Sequence, residues 1–175
     1  MFFLKFFVDP NVMVDILESV YKEFQIEHAS TAQTRPRILF IAPNLGYGDI
    51  KIPELITESG DEIVAEEICE GTRYYLNDID FSGDLYQSLA RGYLEDRVPC
   101  VYMRNSTRLR LEFSLKLIED FAVDGVVWYE IPCCETYDTE SFYFHEQLTA
   151  RDIPMLILES DYGAGDVGQM KIRLE

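Results

Sequence analysis

Short apolar runs alternate with longer amphipathic stretches through most of the chain. Five runs have the length of strands: Arg37–Ala42, Glu62–Ile68, Cys100–Met103, Gly125–Ile131 and Pro154–Glu159. Such nearly continuous apolar runs are typical of parallel strands that are covered on both faces. The pattern predicts an α/β fold, a doubly wound, mostly parallel sheet of about five strands with helices on both faces.

Amphipathic helices are predicted between these runs. The clearest stripe belongs to a helix that Asn105 or Ser106 would cap: Leu109, Phe113, Leu117, Ile118 and Phe121. The segments Leu85–Leu94 and Phe142–Ala150 are also helix-like. Each predicted helix connects two strand-like runs, as the crossovers of a parallel sheet require.

The first 34 residues follow a different pattern. Met13, Leu17, Val20 and Phe24 form one helical stripe, and the polar stretch "EHASTAQTRP" follows it. We therefore expect residues 1–34 to form a leading helix and a linker. Residues 35–175 would then form one Rossmann-like α/β domain, a size that one hydrophobic core can support.

Charge and composition narrow the functional classes. Fifteen Lys and Arg against 32 Asp and Glu give a net charge of −17, which repels phosphate backbones, so nucleic acid is not an expected partner. No run reaches the ~20 apolar residues of a membrane span, and no basic n-region precedes a cleavage site. These patterns predict a cytoplasmic protein without a membrane segment, whose four cysteines are thiols or metal ligands.

Loops of unusual chemistry follow four of the strands, and the carboxyl ends of parallel strands share one edge of the sheet. In "PNLGYGD", Gly46 and Gly48 could let backbone N–H groups approach a phosphate, although glycine more often marks a simple turn. In "CEGTR", Arg73 could bind a carboxylate or phosphate and Thr72 could donate its hydroxyl. The alternative is a buried Cys69 with Arg73 paired to an acid.

The sharpest loop is "PCCETYD", which holds Cys133 and Cys134. Neighbouring side chains on an extended chain point in different directions, so one of the two at most faces a shared site. A structural metal site needs about four ligands, and from spacing alone this loop is not a metal motif. Cys100 starts an apolar run and is expected to be a buried core residue.

Three blocks of the chain resemble the carboxyl-terminal domain of the 2-hydroxyacyl-CoA dehydratase D-component family. They are "RPRILFIAPNLGYGDIKIPELITESGDEIVAEEICEGTRYY", "VPCVYMRNSTRLRLEFSLKLIEDFAVDGVVWYEIPCCETYD" and "IPMLILESDYGAGDVGQMKIRLE". They agree with the family in order and spacing over roughly residues 35–175. The family also includes benzoyl-CoA reductase subunits and double-cubane cluster proteins.

The resemblance implies an iron–sulfur protein with a 4Fe-4S cluster. Cys134 matches the family's carboxyl-terminal cluster ligand, and Cys133 takes the place of a non-ligand and is expected to fill the strand end. Cys69, Thr72 and Arg73 would lie near the site, and Gly46 and Gly48 would face the substrate. Pro132 stands where the family often has lysine, which leaves that lysine's role without a counterpart.

The implied activity is the removal of water from a 2-hydroxyacyl-CoA. In that chemistry an ATP-dependent activator protein supplies one low-potential electron, and a ketyl radical anion forms on the substrate. The implied partners are a second dehydratase-type subunit, the activator and an acyl-CoA substrate. A reductase or double-cubane relative, and a cluster-free α/β assembly module, remain the alternatives.

Family members are about twice as long as this chain. Nothing in residues 1–33 resembles their amino-terminal domain with its two further cysteine ligands. The sequence therefore indicates a fragment, a shortened relative or one piece of a split subunit, and the remaining cluster ligands would come from another chain or segment.

Overall fold

The computed structural model describes residues 8–27, 35–46, 48–69, 71–103 and 105–174. The chain divides into two compact units, Met1–Thr34 and Arg35–Glu175. In the described part, the first unit consists of helix α1 (Pro10–Glu27), where the sequence predicts a leading helix. The predicted linker falls largely on residues 28–34, which lie outside the described residues.

The second unit alternates strands and helices. Its elements are β1 (Arg37–Ala42), α2 (Lys51–Glu58), β2 (Glu62–Ile68), α3 (Leu85–Leu94), α4 (Ser106–Asp120), β3 (Gly125–Glu130), α5 (Glu135–Thr149), β4 (Met155–Glu159) and α6 (Val167–Leu174). A short 3-10 helix, Thr72–Tyr74, follows β2. Helix α3 is capped by Asp84, which accepts a hydrogen bond from the Gln87 amide at 2.9 Å.

The four strands form one parallel sheet in the order β2-β1-β3-β4. From β1, the chain first adds β2 on one side and then crosses back to add β3 and β4 on the other. This reversal makes the sheet doubly wound and places a topological switch point between β1 and β3. The predicted fold class is confirmed.

Each face of the sheet has its own hydrophobic core. On one face, Leu39, Ile41, Val126 and Trp128 pack with α4 and α5 residues such as Leu111, Leu117, Phe144 and Leu148. On the other face, Phe40, Val127 and Tyr129 pack with Ile52, Leu55 and Ile56 of α2 and Met170 of α6. Alternate residues of β1 and β3 thus enter opposite cores, which explains their continuous apolar sequence.

One predicted strand is wrong. Cys100–Met103 forms turns that lead into α4, and only Val101 is buried, whereas Tyr102 and Met103 are exposed. A four-residue apolar run does not distinguish a strand from a turn that buries one side chain. The predicted stripe of α4 is also displaced: Arg110 and Ser114 are buried, while Leu109 and Phe121 are exposed.

In the described ranges, none of the helices combines the length and apolar character that crossing a lipid bilayer requires.

Candidate functional site

An open cavity of about 290 Å³ lies at the carboxyl ends of the strands, at the switch point. It is lined by Pro43 and Asn44 after β1, Cys69 after β2, Val101 and Tyr102 before α4, Ile131, Pro132, Cys133 and Cys134 after β3, and Thr136 and Tyr137 of α5. Open α/β sheets bind their ligands in this position, because loops on the two sides of the reversal separate there. Three cysteine thiols line this cavity.

Cys134 directly precedes α5 and occupies its N-cap position. Its side chain is partly buried against the α4–α5 core, and its Sγ lies 3.8 Å from Thr136 Oγ1. The cysteine that the resemblance matches to a cluster ligand is therefore held between the core and the cavity.

The prediction that Cys133 fills the strand end is wrong, because this side chain is exposed. Strand β3 ends at Glu130, and the Cys134 amide donates to the Ile131 carbonyl at 3.0 Å. Pro132 and Cys133 are the central residues of this turn, and Cys133 has a φ of 71°. Proline followed by a residue of positive φ is the arrangement of a type II turn, which usually requires glycine at the third position.

The Cys69 turn is closed by its own backbone and by a carboxylate. The Gly71 amide donates to the Ile68 carbonyl at 2.9 Å, and Glu66 accepts hydrogen bonds from the Ile68 and Thr72 amides and from the Thr72 hydroxyl. Gly71 leaves room for this carboxylate, since a Cβ there would lie 2.0 Å from Glu66 Oε2. Thr72 thus lies on the side of the turn away from the cysteine cavity, which it does not line.

Arg73 lies beneath the same turn and is buried. Its Nε and Nη2 donate to the Cys69 carbonyl at 3.2 and 2.8 Å, and its Nη1 donates to Glu67 Oε1 at 3.0 Å and to the Pro99 carbonyl at 3.3 Å. Burial alone would lower the pKa of Arg73, but the charge of Glu67 and smaller contributions from Cys69 and Tyr137 together outweigh burial, so the pKa is raised. Arg73 therefore supports the cavity wall as a fixed cation and is not exposed in the cavity.

Gly46 and Gly48 lie in the loop after β1, next to the loop after β4. A Cβ at Gly46 would lie 3.1 Å from the Tyr162 ring, and Gly48 has a φ of 84°. The amides of Asp49 and Ile50 donate to the Gly46 and Gly48 carbonyls, each at 3.0 Å. The glycines thus allow a tight turn under a tyrosine ring, and the two amides that follow them are occupied.

The sequence interpretation missed an oxygen cage around Lys51. The Lys51 ammonium donates to the Ser160 hydroxyl, to the Asp161 and Gly163 carbonyls at 2.6 and 2.7 Å, and to Asp166 Oδ1 at 2.9 Å. The hydrogen bond from Ser160 and the ammonium of Lys51 lower the pKa of Asp166. The partners of Lys51 lie 109 to 115 positions further along the chain, so no local sequence pattern signals this contact.

Nearby, Tyr129 of β3 connects the loops after β1 and β4 to the sheet. Its hydroxyl donates to the Ser160 carbonyl at 3.1 Å and lies 3.3 Å from Asp49 Oδ2. Burial, followed by the charge of Asp49, raises the pKa of Tyr129, and burial raises the pKa of Asp49. Tyr129 thus remains a neutral hydrogen-bond donor at ordinary pH.

The thiols that line the cavity suit a metal centre that prefers sulfur ligands. Sulfur is the preferred donor for iron–sulfur clusters, and the described lining residues supply three thiols but no carboxylate or imidazole. Within the described ranges, no three side chains of His, Cys, Asp or Glu lie close enough together to hold a metal ion. The donor type therefore fits a cluster, while further donors would have to come from elsewhere.

Comparisons with known proteins extend the likeness seen in the sequence. The family model described as 2-hydroxyglutaryl-CoA dehydratase, D-component, matches residues 1–175, so the match includes the leading segment. A protein of Escherichia coli (strain K12) named "Putative dehydratase subunit YjiM" is 30% identical over 169 residues, which are 95% of this chain and 43% of that protein. The chain thus spans less than half of the length of the curated relative it matches.

Proposed function

The chain belongs to the 2-hydroxyglutaryl-CoA dehydratase D-component family, and on that basis we propose that it is part of an iron–sulfur 2-hydroxyacyl-CoA dehydratase. Its contribution is one cluster ligand, Cys134, and one wall of the substrate site. The observation that carries the proposal is the position of Cys134 in a thiol-lined cavity at the switch point of the sheet.

The residues of this chain would divide the work as follows. Cys134 binds one iron through its thiolate, since the thiolate is the metal-binding form of cysteine. A bound 4Fe-4S cluster supplies one-electron chemistry to the substrate. Cys69 and Tyr137 form the neighbouring wall, while Thr72 and Arg73 hold the turn that carries Cys69. Gly46 and Gly48 shape the rim on the substrate side.

The whole activity needs components beyond this chain. We infer a second dehydratase-type subunit, an ATP-dependent activator protein and an acyl-CoA substrate. Residues 35–175 would correspond to the carboxyl-terminal domain of longer family members, with the chain acting as a fragment, a shortened relative or one piece of a split subunit. The net charge of −17 supports the expectation that nucleic acid is not a partner.

The same scaffold could instead serve a double-cubane or benzoyl-CoA-type reductase. A non-catalytic assembly module is the second candidate, and the observation that favours it is the lack of three convergent donors among the described side chains. These candidates make different predictions for iron content.

Iron and sulfide analysis of anaerobically purified protein tests the proposal. The chain is produced alone and together with the neighbouring gene product, and Cys134→Ala is compared with Cys100→Ala. Cys100 is the matched control, because it is a partly buried thiol that does not line the cavity.

We expect iron in the co-produced protein, loss of most of it in Cys134→Ala, and full retention in Cys100→Ala. Full iron content in Cys134→Ala would show that the ligand assignment is wrong. A co-purified complex that contains no iron under strict anaerobiosis would support the assembly module.

A further inference from the structure

Among the described residues, the thiol of Cys69 has one close polar neighbour, the Tyr137 hydroxyl, at a distance of 3.3 Å from Sγ. Tyr137 is fully buried, and burial, followed by the charge of Glu67, raises its pKa. The hydroxyl therefore keeps its proton, and this contact to sulfur is the only hydrogen bond recorded for it among the described residues. Either group can donate in this contact while Cys69 is a thiol, but the tyrosine hydroxyl must be the donor when Cys69 is a thiolate, and both residues line the cavity.

A buried ionic network lies directly behind this pair. Arg110 stacks on the Tyr137 ring, with Cζ 4.7 Å from the ring centroid. Its Nε and Nη2 donate to the two oxygens of Glu67 at 3.2 and 2.5 Å, and its Nη1 pairs with Glu140. Glu67 also accepts the hydrogen bond from Arg73, whose other nitrogens hold the Cys69 carbonyl.

The network therefore holds the Cys69–Tyr137 pair from both sides. Arg73 fixes the backbone of the turn that carries Cys69, and Arg110 fixes the ring of Tyr137, with Glu67 joining the two guanidinium groups. Two acids balance two bases, so no net charge is buried. The three residues other than Glu140 have exposed fractions of 0–3%.

Such a network costs more to bury than an apolar core of the same volume, so stability alone does not account for it. What it supplies is a fixed geometry at one point of the cavity wall. A guanidinium fork defines the position of its acceptors, because its N–H groups have a rigid planar arrangement.

We propose that Glu67, Arg73 and Arg110, with Glu140, are positioning residues that hold the Cys69 thiol and the Tyr137 hydroxyl as a fixed hydrogen-bonded pair on the wall of the Cys134 cavity. The pair presents the Cys69 sulfur, hydrogen-bonded to Tyr137, to the cavity in which Cys134 would bind its group. This inference rests on the proposed function for the identity of that group, but the geometry of the pair belongs to this chain alone.

The test measures the alkylation rate of each cysteine separately, by iodoacetamide labelling and mass spectrometry of the reduced, metal-free full chain. Arg73→Lys keeps the positive charge next to Glu67 but loses the fork that holds the Cys69 carbonyl. Loss of charge-assisted hydrogen bonds to the Cys69 carbonyl frees the turn that carries the thiol. We therefore expect Cys69 to react about tenfold faster in Arg73→Lys.

Tyr137→Phe is the second variant, because it keeps the ring over Arg110 and removes only the hydroxyl. The thiolate of Cys69 then loses its donor, so we expect Cys69 alkylation at fixed pH to become about threefold to tenfold slower. Cys100 and Cys133 are internal controls in every sample, and their rates should stay within twofold of wild type.

The proposal requires both changes. An unchanged Cys69 rate in either variant overturns it, and so does an equal acceleration of all four cysteines, which indicates general loosening. Because the assay uses metal-free protein, its result is independent of iron binding. If Cys134→Ala loses iron while the Cys69 rates stay unchanged in both variants, this inference is wrong and the proposed function stands. If the Cys69 rates change as expected while Cys134→Ala keeps its iron, the proposed function is wrong and this inference stands.

Discussion

Replacing Arg110 by methionine should destabilise the protein far more than the same change two residues earlier. Arg110 is fully buried and bonds both Glu67 and Glu140. Methionine fills much of the volume of the arginine side chain, so the main effect is the loss of ionic partners. Among the described residues, Glu67 then keeps only its ion pair with Arg73, and Glu140 keeps only the hydrogen bond from the Thr107 hydroxyl. Removing one partner of a buried ionic network costs ~3–5 kcal/mol.

The matched control is Arg108→Met. The Arg108 side chain is 64% exposed and pairs with Glu112 across one helical turn, an arrangement that contributes only ~0.3–0.5 kcal/mol. For a chain of this size, 1 kcal/mol shifts the melting temperature by ~2–4 °C. The expected decrease is therefore about 6–20 °C for Arg110→Met and less than about 2 °C for Arg108→Met.

Urea unfolding followed by tryptophan fluorescence measures the difference directly. The chain has a single tryptophan, Trp128, and its ring centroid lies 5.4 Å from that of Tyr137, so the signal reports on the core next to the network. A third variant, Arg110→Met with Glu140→Gln, should recover part of the loss because it removes one unpaired charge. The reasoning fails if Arg110→Met lies within 1 kcal/mol of Arg108→Met.

Three further predictions concern single side chains. Lys51→Met should destabilise the protein by ~2 kcal/mol and make the loop after β4 much more sensitive to limited proteolysis, whereas Lys171→Met, which removes an exposed cation 3.8 Å from its partner, should do neither. Glu130 is buried, its Oε1 makes no hydrogen bond of ordinary geometry in the described part, and burial raises its pKa. Because the pKa is raised in the folded state, the ionised form of Glu130 destabilises the protein at pH values above the ordinary pKa of 4.5. Glu130→Gln should therefore stabilise the protein at pH 7 by ~1 kcal/mol. Unfolding curves measured at several pH values should show this gain shrinking as the pH falls toward 5. Gly71→Ala should displace the carboxylate of Glu66 and cost ~1–3 kcal/mol in thermal unfolding, and an unchanged melting temperature would show that this carboxylate can move freely.

The fold could be predicted from the sequence wherever a long pattern exists. Two strands, Arg37–Ala42 and Glu62–Ile68, were predicted with the bounds that the structure has, because both are bounded by residues that end helices or start loops. The run Cys100–Met103 was not a strand, since four residues carry too little periodicity to separate a turn from a strand.

The candidate site was predictable only in part. That the loops after β1, β2 and β3 meet at one edge follows from parallel topology, and Cys69 and Cys134 do line one cavity. Of the two sequence interpretations of Arg73, the structure has the one in which it pairs with an acid, but Glu67 could not be named as that acid, because it must first be inside the protein. Arg110 pairs with residues 43 and 30 positions away, and no local pattern encodes such distant partners.

A signal for the network was nevertheless present. Glu67 lies inside β2, between Glu66 and Ile68, and Arg110 is among the buried residues of α4. A charged residue at a position that the topology assigns to the interior must find a partner of opposite charge there. The need of Glu67 for a cation could thus be anticipated, but the sequence does not show that Arg73 and Arg110 supply it.

The cage around Lys51 fixes the loop after β4 by means of a cation that belongs to the chain. Oxygen cages of this kind commonly recruit a soluble cation, but here the cation is attached to the chain by its own side chain. The position of the loop after β4 therefore does not depend on a bound metal ion, and a chelator should leave it unchanged. Since Tyr162 in that loop packs against Gly46, the loops after β1 and β4 hold each other in place.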